Sequence, residues 1–283
     1  MRTLWLAAVA GLTLSIVVPA EAADFGGLPY KARPIPIVPV ARAISWTGCY
    51  VGAGGGYGMF NEETALVTRT PFGGIPAGTT FVNGLTQGGR GWLATGQVGC
   101  DYQLPFFGGD WVIGAFGDAD WTGIKGRHTG GNINIGLQDG DEKLRWSWAG
   151  GGRLGWVVRP SLLAYVSGGY TQASLDAVTY VSALFPNFGA PTGLQLPSRT
   201  QHGWFVGVGA EYALPWLPSL FWKNEFRFAD YGTRTDAVNC TTVGLCGPVG
   251  PTAFSERNTL YVETFRTELV WRFHSGGILS SRY

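Results

Sequence analysis

A strict two-residue alternation, repeated along most of the chain, limits what this sequence can fold into more than any other feature. In GWFVGVGAEYAL, Trp204, Val206, Val208, Ala210, Tyr212 and Leu214 fall on one face, and Phe205, Gly207, Gly209, Glu211 and Ala213 on the other. Side chains of a strand point alternately to its two faces, so a period of two is a strand signal. RWSWAGGGRLGWVV divides the same way, into Trp146, Trp148, Leu154, Trp156 and Val158 against Arg145, Ser147, Ala149, Gly151, Arg153 and Gly155. Further on, Trp222, Phe226 and Phe228 oppose Lys223, Glu225 and Arg227, and Phe265, Leu269, Trp271 and Phe273 oppose Arg266, Glu268 and Arg272. The first such stretch, WTGCYVGAGGGYG, sets Gly48, Gly52, Gly54, Gly56 and Gly58 beside Trp46 and Tyr50, against Cys49, Val51, Ala53 and Tyr57. One face is bulky and apolar; the other is small or charged.

Segments of this kind occupy about 46–58, 91–104, 111–122, 143–158, 162–174, 202–214, 219–232 and 258–273. Tight turns (PFFGGD, VRPS, PWLPS) alternate with long connections centred on 62–88, 126–140, 180–199 and 234–256. That rhythm describes an antiparallel meander, and closing it removes its two edges. An eight-stranded barrel has an interior just wide enough for side chains. It cannot hold a chain's 12 Trp and 16 Phe, whereas glycines and crossing charges fit. The apolar face therefore points outward, and the fold predicted is an all-β, transmembrane eight-stranded antiparallel up-and-down β-barrel. Trp46, Tyr57, Trp111 and Trp121 at strand ends suit interfacial girdles. Only 14% of residues are charged, against roughly 25% in soluble domains. A soluble exported barrel with its apolar face inside would be overfilled and would show glycine to water.

The ends agree with export. Residues 1–22 carry Arg2, a 15-residue apolar run and Ala20-Glu21-Ala22, a signal peptide cleaved after Ala22. The run is shorter than the roughly 20 residues of a membrane helix, and no later segment is long and apolar enough for one. Residues 23–45 are proline-rich and read as an extended periplasmic tether, 46–273 as the barrel, and 274–283 as a short C-terminal extension. A net charge of +1 with no basic stripe excludes nucleic acid as a partner. In an oxidising compartment four cysteines default to disulfides, and Cys240 and Cys246, among Gly and Pro, suit a local loop closure.

Catalytic, cofactor and metal chemistry is weighed and declined. Gly150 to Gly155 is a literal G-x-G-x-x-G, but a strand end and a turn follow it where a dinucleotide site needs a helix. His128 falls in a long connection, His202 at a strand top and His274 past the last strand, and all three read as ordinary polar residues. The inward charges remain: Asp101, Asp118, Asp120, Arg145, Arg153, Glu211, Lys223, Glu225, Arg227, Arg266, Glu268 and Arg272. Buried charges persist only when paired, so a lumen network that blocks flow is expected.

Together WTGCYVGAGGGYG after a proline-rich N-terminus, GQVGCDYQ, IGAFGDADW, GGRLGWV, YVSGGYT, GWFVGVGAEYAL, WKNEFRFADYG and ELVWRF resemble the alphaproteobacterial outer-membrane β-barrel family of Omp25/Omp31-like surface proteins. The resemblance runs from about Trp46 to Phe273. It implies an OmpA-like barrel in the outer membrane of a Gram-negative bacterium, with roles in envelope integrity and surface exposure, sometimes adhesion or haemin binding, and no shared catalytic site. The partners implied are outer-membrane lipid and lipopolysaccharide, the barrel assembly machinery, and a host or small-molecule ligand at the long loops. A narrow diffusion porin is the alternative. Two departures stand out. Cys49 and Cys100 occupy positions that are aromatic in the relatives; both face outward near the turn end of neighbouring strands, where a cross-strand disulfide is expected. The tail HSGGILSSRY follows the aromatic-ended last strand, so Trp271 and Phe273 would serve as the assembly signal.

Overall fold

The structure, a computed structural model, describes residues 44–132, 136–184, 186–217 and 219–273. The signal peptide with Ala22, nearly all of the tether, and the C-terminal extension with His274 lie outside the described residues. The described part is all strand: β1 (Gly48–Thr68), β2 (Thr80–Phe106), β3 (Gly109–Thr122), β4 (Lys125–Asn132), β5 (Gly136–Arg159), β6 (Leu162–Leu175), β7 (Val178–Ser182), β8 (Pro191–Leu196), β9 (Arg199–Ala213), β10 (Leu220–Cys240) and β11 (Gly250–Phe273). Eight of them close a ring, β1-β2-β3-β5-β6-β9-β10-β11, with β11 pairing back onto β1 from Cys49↔Phe273 to Thr68↔Phe254. Every neighbour in the ring is antiparallel.

The short connections lie at one end. Phe107 and Gly108, both at positive φ, make the two-residue turn from β2 to β3, a hairpin type that needs left-handed backbone. At the other end the strands continue far beyond the predicted boundaries. β2 is 27 residues long, and most of the connection expected at 62–88 is β1 and β2 themselves. Likewise β4 and the start of β5 pair within 126–140, 180–199 contains β8 and the end of β7, and 234–256 holds the upper parts of β10 and β11 on either side of a tip at 241–249. Their Gly, Thr and Asn content reads as loop, but cross-strand partners supply the ladder, as Thr64↔Asn258 and Arg127↔Asp141 do. The result is a barrel with an outer lobe standing on it.

The alternation holds along the ring. On β11 every even residue from Glu256 to Arg272 is buried. On β1, Cys49, Val51, Ala53 and Tyr57 are exposed, while Trp46 and Tyr50 are buried. Trp46 is thus a correction: it belongs to no girdle, but folds under the lumen, its ring 5.0 Å from that of Phe221. Tyr57, Trp111 and Trp121 do face outward, Trp121 at 61% exposure.

Arg145 is a second correction. Between Leu144↔Leu175 and Trp146↔Ser174, β5 advances two residues while β6 advances one. A bulge of this kind inserts one residue and reverses the faces beyond it. Below it the odd residues Ser147, Ala149 and Arg153 face inward; above it the even residues Leu144 and Glu142 do. Arg145 consequently leaves the lumen and pairs with Asp176 at 2.9 Å on the surface. A similar irregularity between Asp230 and Thr233, with Gly232 at φ 67°, shifts β10 from odd inward (Arg227, Tyr231) to even inward (Asp236, Val238).

Two disulfides fix the ends. Cys49 and Cys100 are direct cross-strand partners on the outward face, bonded with Cα atoms 3.9 Å apart, closer than the usual lower bound of about 4.4 Å. Cys240–Cys246, Cα atoms 5.6 Å apart, closes the tip beyond β10 over a small core of Val178, Tyr180, Leu194, Leu196 and Val238.

Candidate functional site

The inside of the barrel is built in levels. Lowest is a closed ring of two guanidiniums and two carboxylates. Arg153 donates through Nε to Asp101 (2.8 Å), through Nη2 to the same carboxylate, and through Nη1 to Glu211 (3.1 Å). Arg272 donates to Glu211 through Nη2 (2.7 Å) and to Asp101 through Nη1 (2.7 Å), and also reaches the Trp46 carbonyl (3.0 Å). The faces of Trp46, Tyr50 and Phe221 lie about the Arg272 guanidinium at 5.0–5.2 Å, where cation–π attraction supplements the ion pairs. Above it, Lys223 donates to Gln97 (2.7 Å) and lies 3.5 Å from both Glu225 and Glu268. Higher again, Arg227 grips both oxygens of Asp118 (3.1 and 2.7 Å), and Arg266 bridges Asp118 and Asp120.

Glycines make room for this. A Cβ on Gly114 would run into the Asp101 carboxylate, and one on Gly99 would stand 2.5 Å from the Tyr50 hydroxyl. The inner face is pared to hydrogen where a polar side chain from the neighbouring strand leans across it, since Gly114 is the direct partner of Asp101 and Gly99 that of Tyr50. Eleven of the twelve charges read from the sequence, all but Arg145, are therefore placed in the lumen and joined to one another.

Over the Arg266 level lies an apolar septum of Phe60, Ile124, Leu144, Leu175 and Leu260, all buried members of one core cluster. Beyond it sits a second polar cluster that the sequence reading misses. His128, read as an ordinary loop residue, is completely buried. Its Nδ1 lies 3.1 Å from Glu142 Oε2 and 3.3 Å from Glu62 Oε2, and its Nε2 lies 3.0 Å from Glu256 Oε2, which also accepts from the Tyr180 hydroxyl (2.7 Å). Arg199 holds the other oxygens, donating from Nη2 to Glu62 Oε1 (2.6 Å) and to Glu142 Oε1. Gln87 Nε2 approaches Nδ1 as well, at 3.1 Å. The signal was present: on β1 the inward register continues past Phe60 to Glu62, and on β11 it continues past Leu260 to Asn258 and Glu256. What the sequence does not give is that strands up to 128 residues apart meet at His128.

This cluster stands clear of the apolar band, since its outward neighbours Asn61, Glu63, Lys125 and Arg127 are polar and exposed. Burial dominates its acid–base chemistry. It pushes the Glu62 carboxyl up to about 7, with Glu142 adding and the His128 hydrogen bond opposing. For Glu142, burial is outweighed by His128 and Arg199, which hold it well below the ordinary carboxylate range. For His128, burial is likewise outweighed, by the glutamates around it, and the imidazole lies well above its ordinary value.

Outside, the barrel carries a belt of exposed Trp92, Tyr102, Ile113, Trp121, Trp148, Trp156, Val166, Trp204, Val208, Trp222, Phe265 and Trp271. Among the described residues no helix is long and apolar enough to cross a membrane. A closed ring needs none, because it pairs its backbone groups internally.

The chain is an outer-membrane β-barrel protein.

Comparison with curated sequences agrees. The chain is homologous to the 31 kDa outer-membrane immunogenic protein of Brucella melitensis biotype 1 and of Brucella suis biovar 1, 26% identical in each case over 204 residues, 70% of this chain and 78% of the relative. No family model matches it. Among solved structures it is similar to Neisserial surface protein A (11% identity, TM-score 0.37, 80% of this chain and 98% of that one) and to the outer membrane protein OprG from Pseudomonas aeruginosa (10%, TM-score 0.44, 80% and 97%). The literal G-x-G-x-x-G at Gly150–Gly155 lies inside β5, with no helix after it. Trp271 and Phe273 end the last described strand facing outward.

Proposed function

We propose that this is a non-conducting structural and surface protein of the Gram-negative envelope. The observation that carries the reading is the stack of guanidinium–carboxylate levels across the lumen, capped by Trp46 below and by the apolar septum above. Water and ions would have to part several buried charge-assisted hydrogen bonds at once to pass. Lipid and lipopolysaccharide are its surroundings in this reading, and the barrel assembly machinery its route, with Trp271 and Phe273 as the signal. Planar-bilayer recording of the purified mature protein tests it. A silent membrane is expected, and a steady open conductance would replace the structural role with that of a narrow diffusion pore.

A second reading, contact with a host surface or ligand, is favoured by the apolar tips of the outer lobe. Leu184, Phe188, Val243, Leu245 and Val249 are all exposed there, Val243 at 75%. Clustered apolar residues on an exported surface mark interaction sites. Shortening 183–190 and 241–249 should lower cell adhesion; unchanged adhesion would remove this reading.

A further inference from the structure

In the outer cluster one hydrogen on the imidazole cannot serve every carboxylate oxygen turned toward it. Two carboxylates, Glu62 and Glu142, each give one oxygen to Arg199 and turn the other, Oε2, toward the same ring nitrogen, His128 Nδ1, at 3.3 and 3.1 Å. An imidazole nitrogen carries at most one hydrogen, so it serves one of these oxygens. Glu62 Oε2 is indeed left without a hydrogen-bond partner, although Glu62 is fully buried. The three ligand atoms lie within 4.8 Å of one another. Oxygen and nitrogen ligands at about 2.0–2.2 Å from a tetrahedral ion stand about 3.3–3.6 Å apart, and the two spacings around Nδ1, 3.3 and 3.1 Å, lie at and just below the lower end of that range.

We infer that Glu62, His128 and Glu142 form a site for a divalent first-row cation such as Zn²⁺, held in the outer lobe of the barrel. Binding replaces the Nδ1 proton, which leaves to solvent, and gives Glu62 Oε2 a partner. The far side of the ring is built for it: Nε2–H points to Glu256, whose oxygen is fixed by the Tyr180 hydroxyl. A metal-bound histidine characteristically donates its other N–H to a carboxylate, which sets the ring's tautomer and angle. Charge is consistent with the same conclusion. Once the ion has replaced the Nδ1 proton, Glu62, Glu142 and Glu256 are opposed by Arg199 alone, and a doubly charged ion makes up the difference. One imidazole with two carboxylates suits zinc or manganese better than calcium or magnesium, which prefer oxygen alone. Thiolates do not compete, because among the described residues no cysteine is free.

The test uses the full mature chain, refolded in detergent with EDTA or with Zn²⁺, freed of unbound ion by gel filtration and analysed for metal by mass spectrometry. The zinc-refolded wild type should retain about one ion per chain. A His202→Ala control, which changes a surface histidine, should retain as much. His128→Gln and Glu62→Gln should lose it, while Tyr180→Phe, one step removed from the ion, should weaken it by about ten- to a hundred-fold. Folding of each variant is read separately from the mobility shift on boiling. X-ray absorption of the bound zinc needs no variant at all, and its shell should be nitrogen and oxygen with an imidazole signature. A folded wild type that holds no zinc, a His128→Gln protein that holds as much as wild type, or a shell without imidazole would each overturn the assignment.

Discussion

The lower lumen and the outer cluster are both sealed from water and both built of carboxylates and guanidiniums, yet they are composed differently. Below the septum, Asp101, Asp118, Asp120, Glu211, Glu225 and Glu268 face Arg153, Lys223, Arg227, Arg266 and Arg272, and most acidic groups touch more than one cation. Above it, three glutamates share one arginine and one imidazole. A nearly balanced network needs nothing more than itself, and its role is to fill and stiffen. An acid-rich one leaves a position for a further positive charge, either a proton or an ion. Burial alone therefore does not separate structural charges from binding ones; the local tally of sign does.

The sharpest way to break the comparison is to delete one donor to a buried carboxylate from each region. Arg272→Ala leaves Arg153 alone to serve both Asp101 and Glu211 in the lumen and should cost about 3–5 kcal/mol, read from urea unfolding of the barrel in detergent. Tyr180→Phe removes one hydrogen bond to a charged oxygen and should cost about 1.5–3 kcal/mol in the same assay. If the two losses were equal, the claim that the lower network is the stiffening one would fail. Reducing Cys240–Cys246 should destabilise the lobe locally by about 2 kcal/mol, seen as faster proteolysis within 241–249 while the lumen stays protected. The smallest effect belongs to Arg145→Ala, whose surface pair with Asp176 should contribute less than about 0.5 kcal/mol. A large loss there would mean that Arg145 reaches the lumen after all.

That last contrast marks the limit of what the sequence discloses. The two faces of each strand, and hence Arg153, Glu211, Arg227 and Arg266 as lumen residues, follow from alternation alone, because a period of two leaves no third direction. Arg145 escapes the rule because a bulge leaves no composition signature in RWSWAGGGRLGWVV: the same letters fit either register, and only the pairing with β6 decides. The outer cluster was illegible for a different reason. Its residues lie in stretches rich in Gly, Thr and Asn, whose weak strand character is overridden by long-range pairing, as on β4 and the upper part of β1. His128 looked solitary because its partners come from β1, β5 and β11, and nothing local announces them.

The Cys49–Cys100 bond bears on assembly. The oxidising compartment is reached before the membrane is, so the first hairpin can be locked with Cys49 opposite Cys100 while the rest of the chain is still unfolded. From that lock the two strands pair without slippage for sixteen residues, to Thr64↔Leu85. β1 is also the strand on which the last one, β11, must close. A covalent clamp at that position fixes the register of the first hairpin, and the final strand closes against an edge already tied to its neighbour.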